Sequence, residues 1–117
     1  MFARKFNIPR KDLLKIKDNG ILLQSSDFGA LVVKRQILEN PRFAVVISTK
    51  VSKLATHRNR IKRAFRDALR YNWKKVSNGI DIVFLVKPSS ERVGAADIMK
   101  EIQNFLENTR MLKKTQK

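Results

Sequence analysis

The sequence predicts a small α/β domain, more narrowly an α+β arrangement, with the element order αβββαβα. Four short runs rich in Val, Ile, Leu and Phe are bounded by turn residues, as strands are. Three other stretches repeat apolar residues at helical spacing, and one of them lies between the last two strands. A strand, a helix and a strand in succession form a βαβ unit. We therefore expect one domain over residues 1–117, with a central four-stranded sheet and helices covering one of its faces.

The N-terminal third of the chain predicts one helix and two strands. Pro9 suits the start of a helix and Gly20 suits its end, which predicts two or three helical turns between them. Residues 21–24 and 28–34 are short apolar runs separated by turn residues, and they predict the first two strands. Residues 1–8 are short and basic, so we expect them to be flexible.

The rest of the chain predicts two more strands, a basic helix between them and a final helix. Residues 42–48 form the third strand. Residues 80–87 form the fourth, and their nearly continuous apolar run is typical of a central strand covered on both faces. Residues 95–112 carry apolar side chains on one helical face, and residues 113–117 are expected to be a flexible basic tail.

The basic helix, predicted over residues 56–70, is the most informative stretch. Ile61, Phe65 and Leu69 recur every four residues and form one apolar stripe. Thr56 suits the N-cap position. The opposite arc of the helix is polar and mostly cationic, and consists of Asn59, Arg60, Lys62, Arg63, Arg66 and Arg70.

The charge order along this helix is unfavourable for an isolated helix. Arg58 and Arg60 lie in or near the first turn, where the helix dipole disfavours cations by roughly 0.3–1 kcal/mol each. Only Asp67 stands among the cations to offset their repulsion. A bound polyanion would supply the missing negative charge, whereas the alternative is a basic face that contacts only solvent.

The net charge narrows the class of partner. The chain has 26 Lys and Arg against 10 Asp and Glu, a net charge of +16, which attracts phosphate polymers or anionic membrane surfaces. No apolar run approaches the roughly 18 residues of a membrane-spanning helix, and the first residues show no secretory signal, so we expect nucleic acid rather than a membrane. The absence of Cys excludes disulfides and thiolate metal sites and fits a cytoplasmic protein.

Side chains suited to catalysis are scattered along the sequence. His57 is the only His, which excludes a two-His mechanism, and its basic neighbours favour contact with phosphate or solvent. Asp97 and Glu101 are four residues apart on the predicted last helix, where paired acids most often form a solvated face. Phe28 could stack a base on the sheet or belong to the core. The sequence therefore predicts a binding protein without an active site of its own.

A resemblance to a known family rests on the start of the basic helix. The chain resembles the RNR signature of the bacterial ribonuclease P protein family at Arg58, Asn59, Arg60, Ile61, Lys62, Arg63 and Arg66. The strand at residues 43–48, the basic loop with Lys50 and Lys53, and residues 79–83 are similar to the segments that flank this signature. Residues 10–13 resemble the first helix of the family.

The resemblance implies a fold and a function. The fold would be that of the second domain of ribosomal protein S5, with a left-handed βαβ crossover through the basic helix. The function would be that of the protein subunit of ribonuclease P, a cytoplasmic ribonucleoprotein endonuclease that removes the 5′ leader from precursor tRNA. The partners would be the ribonuclease P RNA subunit and precursor tRNA, with no membrane and no DNA. Catalysis would reside in the RNA, with Mg²⁺ held mainly by the RNA subunit and the substrate.

The resemblance also implies site residues. The residues expected to bind the RNA subunit are Lys50, Lys53, His57, Arg58, Asn59, Arg60, Lys62, Arg63, Arg66 and Arg70. A cleft between the first helix and the sheet would contact the leader through Leu13, Lys17 and Phe28. Leu13 and Lys17 stand where the family often has aromatic residues, so this contact would be more electrostatic here. Ser52 stands where the basic loop often has Gly.

Three alternatives remain open. The chain could be a ribosomal-type basic RNA-binding protein without a role in cleavage, which would share its charge and its fold class. A stand-alone nuclease is disfavoured by the single His and the scattered acids. A transcription factor that reads duplex DNA with the basic helix would need a dimerisation surface, which the sequence does not indicate.

Overall fold

The helices and strands follow the predicted order in the computed structural model, which describes residues 7–36 and 39–108. They are α1 (Arg10–Asn19), β1 (Ile21–Gln24), β2 (Phe28–Lys34), β3 (Arg42–Val46), α2 (Ala55–Asn72), β4 (Ile80–Val86) and α3 (Ala95–Asn108). Short 3₁₀ helices at Trp73–Lys75 and Pro88–Arg92 follow α2 and β4. The element order αβββαβα is therefore confirmed.

The predicted boundaries hold to within a few residues where the structure describes them. The third and fourth strands end at Val46 and Val86, and α2 continues to Asn72. Ile8 was expected in a flexible segment, but it is buried and its N–H donates to the carbonyl of Phe43 at 3.3 Å. Three predicted parts lie outside the described residues. They are the rest of the flexible N-terminal segment (1–6), the end of the last helix (109–112) and the flexible basic tail (113–117).

The four strands form one mixed sheet in the order β1-β2-β4-β3. β2 pairs antiparallel with both β1 and β4, whereas β3 runs parallel to β4. The α2 crossover therefore joins two parallel strands that lie side by side. β4 is hydrogen-bonded on both edges, which confirms the prediction of a central strand.

The helices cover both faces of the sheet, so the prediction that they share one face is wrong. Ile82 and Phe84 of β4 pack with α2 and α3, whereas Val83, between them, packs with Ile16 of α1 on the other face. Successive strand residues point to opposite faces, and β4 is apolar at every position except Asp81. Both faces must therefore be covered.

The start of α2 also differs from prediction, because Thr56 is not the N-cap. The helix begins at Ala55 and Leu54 occupies the N-cap position without a capping side chain. The backbone N–H groups of His57 and Arg58 donate to the Leu54 carbonyl at 3.1 and 3.2 Å, which places Thr56 inside the first turn.

Four phenylalanine rings form the centre of the core between the sheet and the helices α2 and α3. The ring of Phe28 lies 5.5 Å from Phe65, 5.4 Å from Phe84 and 5.2 Å from Phe105, each in edge-to-face geometry. Such aromatic pairs add about 0.5–1.5 kcal/mol beyond the burial of their area. The rings join β2, β4, α2 and α3 in one packed unit.

On the face of the sheet that α1 covers, the buried carboxylate of Asp81 connects several elements. The Asp81 side chain is 2% exposed and accepts hydrogen bonds from Nε and Nη2 of Arg42 at 3.0 and 2.7 Å. Arg35 Nε lies 2.9 Å from the same carboxylate, and Arg42 Nη1 reaches Asp12 of α1 at 3.3 Å. The hydrogen bond to Asp81 raises the pKa of Arg42. This ionic network ties α1 to β3 and β4.

Replacing the central acid of this network should destabilise the fold. Asp81→Ala takes the carboxylate away from Arg35 and leaves Arg42 with Asp12 alone. We expect it to lower the free energy of unfolding by about 3–5 kcal/mol, the range for breaking a buried ion pair. Urea unfolding followed by circular dichroism measures the loss. The matched control is Asp97→Ala, which removes an exposed carboxylate of α3 and should change little. Equal effects of the two substitutions would contradict the role of Asp81.

Candidate nucleic-acid interface

The exposed face of α2 carries the polar residues that the helical pattern predicts on its outer arc. Ile61, Phe65 and Leu69 are buried as predicted, which turns the opposite arc to solvent. A shallow cavity of about 340 Å³ on this arc is lined by Asn59, Lys62, Arg63 and Arg66. Arg70 is exposed one turn further along α2. The cavity offers several charged donors and one amide to a single anionic ligand.

Arg66 has a donor that no protein group satisfies. In the described part of the chain, its Nε is buried and has no hydrogen-bond partner. The nearest acid oxygen, Oδ1 of Asp67, lies 3.9 Å away, which is an ion pair but too long for a hydrogen bond. A buried donor without a partner costs free energy, and a rotation of the side chain that brings this donor to a phosphate oxygen would relieve the penalty.

Three other predicted RNA-binding residues are engaged within the protein. Arg58 Nη1 donates to the Ser52 carbonyl at 2.7 Å. Arg60 donates through Nη1 and Nη2 to the carbonyls of Val93 and Glu91 at 3.1 and 3.0 Å. Nδ1 of His57 lies 3.3 Å from Oε2 of Glu91. These side chains position the segments around the start of α2.

Glu91 supplies the acid that α2 lacks in its own first turn. No acidic residue occupies that turn, but the Glu91 carboxylate reaches His57 from the 3₁₀ helix after β4. Hydrogen bonds from Ser52 and His57 lower the pKa of Glu91. No sequence pattern points to Glu91, because Glu91 and His57 are 34 positions apart and no motif connects them.

The basic loop between β3 and α2 presents its lysines outwards. Val51 and Ser52 are buried, whereas Lys50 and Lys53 are exposed. The Ser52 hydroxyl accepts a hydrogen bond from the Leu54 backbone at 3.2 Å, just before α2 begins. Ser52 thus has a structural role at the position where the family often has Gly.

Of the three residues predicted to line the leader cleft, Phe28 does not lie in it. Phe28 is fully buried among the core rings on the α2 side of the sheet, so its predicted place in this cleft is wrong. Of the two alternatives for its ring, stacking on a base or packing in the core, the structure shows the second. Alternation along β2 explains this, because Leu31 and Val33 face α1 and Phe28 has the opposite parity. On α1, Leu13 packs partly against the sheet and Lys17 is exposed.

Residues 7–36 and 39–108 contain neither a cluster of metal-binding side chains nor a membrane-spanning helix. No three His, Asp or Glu side chains in these ranges lie close enough together to hold a metal ion. No helix in the same ranges is both long enough and apolar enough to cross a membrane.

Known proteins resemble this chain in sequence and in fold. A family model described as Ribonuclease P matches residues 8–110. The ribonuclease P protein component of Fusobacterium nucleatum is 31% identical over 90 residues, which cover 74% of this chain and 80% of that protein. The ribonuclease P protein structure from Thermotoga maritima is 28% identical, with a TM-score of 0.76 over 87% of this chain and 96% of that chain.

A third comparison concerns the fold alone. The Staphylococcus aureus ribonuclease P protein structure is 18% identical and has a TM-score of 0.83 over 92% of this chain and 98% of that one. The backbone arrangement is thus shared although fewer than one residue in five is identical. Together with the match over residues 8–110, these relatives show that the chain belongs to the ribonuclease P protein family.

Proposed function

We propose that this protein is the protein subunit of a ribonuclease P holoenzyme. It binds the catalytic RNA subunit through α2 and the basic loop, and assists removal of the 5′ leader from precursor tRNA. The observation that carries the proposal is the cationic cavity on α2, which Lys62, Arg63 and Arg66 line together. Family membership supports the same assignment.

RNA binding by this surface is electrostatic. Lys62, Arg63 and Arg66 line one cavity, and the exposed Lys50 and Lys53 extend the positive surface beyond the start of the helix. Each neutralised phosphate releases condensed counterions, which makes affinity fall steeply with salt. The net charge of +16 also speeds the encounter with a polyanion.

Arg58, Arg60 and His57 act as positioning residues. Their bonds to Ser52, to Glu91 and to the Val93 carbonyl hold the basic loop and the segment after β4 against α2. Such preorganisation lowers the conformational entropy lost on binding, because fewer side chains and loops must be ordered by the RNA.

Catalysis resides in the RNA subunit, and the protein alone does not cleave. The proposed holoenzyme works in the cytoplasm with Mg²⁺ held mainly by the RNA and the substrate. Lys17 on α1 contacts the leader by charge, beside the apolar surface to which Leu13 contributes. Added positive charge where two RNA molecules meet should lower the magnesium concentration that cleavage needs.

Precursor-tRNA cleavage tests this function directly. A bacterial ribonuclease P RNA is assayed at low magnesium with and without the protein, and the protein is assayed alone. We expect the protein to restore cleavage at the mature 5′ end and to be inactive by itself. Binding to the RNA without any change in rate or magnesium dependence would overturn the proposal in favour of a ribosomal-type RNA-binding protein. Cleavage by the protein alone would indicate a stand-alone nuclease.

Arg66→Ala should weaken binding to the RNA subunit and reduce its salt dependence. Loss of one phosphate contact lowers the slope of log K against log salt by about 0.7–0.9. Filter binding across a salt series measures the slope. The matched control, Lys100→Ala, removes one charge from the exposed face of α3 and should leave the slope nearly unchanged. An unaltered slope for Arg66→Ala would remove this side chain from the phosphate contacts.

Glu91→Gln should destabilise the protein in a pH-dependent way. The pKa of Glu91 is lowered from its ordinary value of 4.5, so the folded state favours the charged carboxylate. The resulting stabilisation is present above the ordinary value and disappears as the pH falls through the lower pKa of the folded state. Urea unfolding should therefore show the variant and the wild type converging below about pH 4.5. A difference that stays constant across the acidic range would refute this role, and Asp97→Asn is the control at an exposed acid.

A further inference from the structure

A second groove lies beside the cationic cavity, between α2 and α3. Its volume is about 460 Å³. Its apolar lining comes from Ala64 of α2 and from Ala95 and Met99 of α3. Polar side chains surround this apolar surface, and they are Thr56, Asn59, Arg60, Arg63 and the acid Asp67. An apolar surface bordered by two cations and one carboxylate does not suit an anion alone.

The groove and the cationic cavity share a boundary. Asn59 and Arg63 line both of them, so these two side chains form a ridge between an apolar site and a phosphate site. A nucleotide has the same arrangement, with a planar base next to a charged phosphate. The ridge would place an amide and a guanidinium between the two parts of one ligand.

Arg60 makes the groove suitable for a planar ring. Its guanidinium is held by the carbonyls of Val93 and Glu91 at 3.1 and 3.0 Å, so its plane is fixed before any ligand arrives. Donors used in this way are less available to phosphate, but the flat face of a guanidinium still stacks on a base. Unstacked RNA bases are commonly bound in this manner.

We propose that the groove between α2 and α3 binds one unpaired base of the RNA partner, while the adjacent phosphate contacts Arg63 and the cationic cavity. The identity of the ligand as RNA rests on the proposed function. The apolar floor selects against a bare phosphate, and the charged side chains around it, Arg60, Arg63 and Asp67, select against an apolar protein segment. The protein would thus hold RNA by one base in addition to its phosphate contacts.

Nucleotide titration tests the groove without the RNA subunit. The probes are adenosine monophosphate and ribose 5-phosphate, which share a phosphate and differ in the base. Met99 lies in the groove and is one of three Met in the chain, so its ¹³C-labelled methyl resonance can be assigned with Met99→Leu. We expect adenosine monophosphate to shift this resonance through the ring current of the base, and ribose 5-phosphate to leave it nearly unchanged. Equal shifts with both probes, or none with either, would overturn the proposal.

Filling the groove tests the same contact in the complex with ribonuclease P RNA. Ala95 and Ala96 are adjacent and both exposed, but only Ala95 lines the groove, so Ala95→Leu and Ala96→Leu form a matched pair. We expect Ala95→Leu to weaken RNA binding about five- to 150-fold, which corresponds to the 1–3 kcal/mol of one stacked base. The salt slope should stay unchanged, because no phosphate contact is lost.

The outcomes separate this inference from the proposed function. Wild-type affinity for Ala95→Leu, or an equal loss for Ala96→Leu, would overturn base binding in the groove while leaving the phosphate contacts of α2 intact. A wild-type protein that fails to activate precursor-tRNA cleavage would instead refute the proposed function. The nucleotide titration would still report on the groove in that case.

Discussion

The packing of Phe65 against Phe28 and Phe84 determines how α2 is oriented, and the proposed RNA-binding surface depends on it. These rings meet at 5.4–5.5 Å in the core. A helix is rigid, so seating Phe65 with its neighbours Ile61 and Leu69 turns the opposite arc outwards. One apolar contact set therefore turns the arc with Lys62, Arg63 and Arg66 towards the surface.

Three acids of this basic protein connect elements that are far apart in the chain. Asp81 joins α1, β3 and β4 through Arg42, and Glu91 joins the basic loop to α2 through Ser52 and His57. Glu101 of α3 accepts hydrogen bonds from the β1–β2 turn, and burial raises its pKa. Because these carboxylates are used between distant elements, they do not neutralise the outer face of α2.

The RNR signature combines two physical tasks within one helical stretch. Arg58 and Arg60 hold neighbouring segments in place, whereas Asn59, Lys62, Arg63 and Arg66 line the open cavity. The alternation follows from helix geometry, because successive residues point about 100° apart. Residues on the flanks of α2 meet the loop and the segment before α3, and the outer arc is left open to a ligand.

Local pattern was sufficient to determine the order of the elements, the buried stripe of α2 and its cationic arc. Each depends on residues within one helix or strand, where the backbone period alone sets which side chains share a face. The tertiary structure decided that α1 covers the second face of the sheet, that Phe28 is core rather than cleft, and that Glu91 completes the start of α2. It also created the groove between α2 and α3. These features join residues far apart in the chain, and only the packing of the whole core brings such residues together.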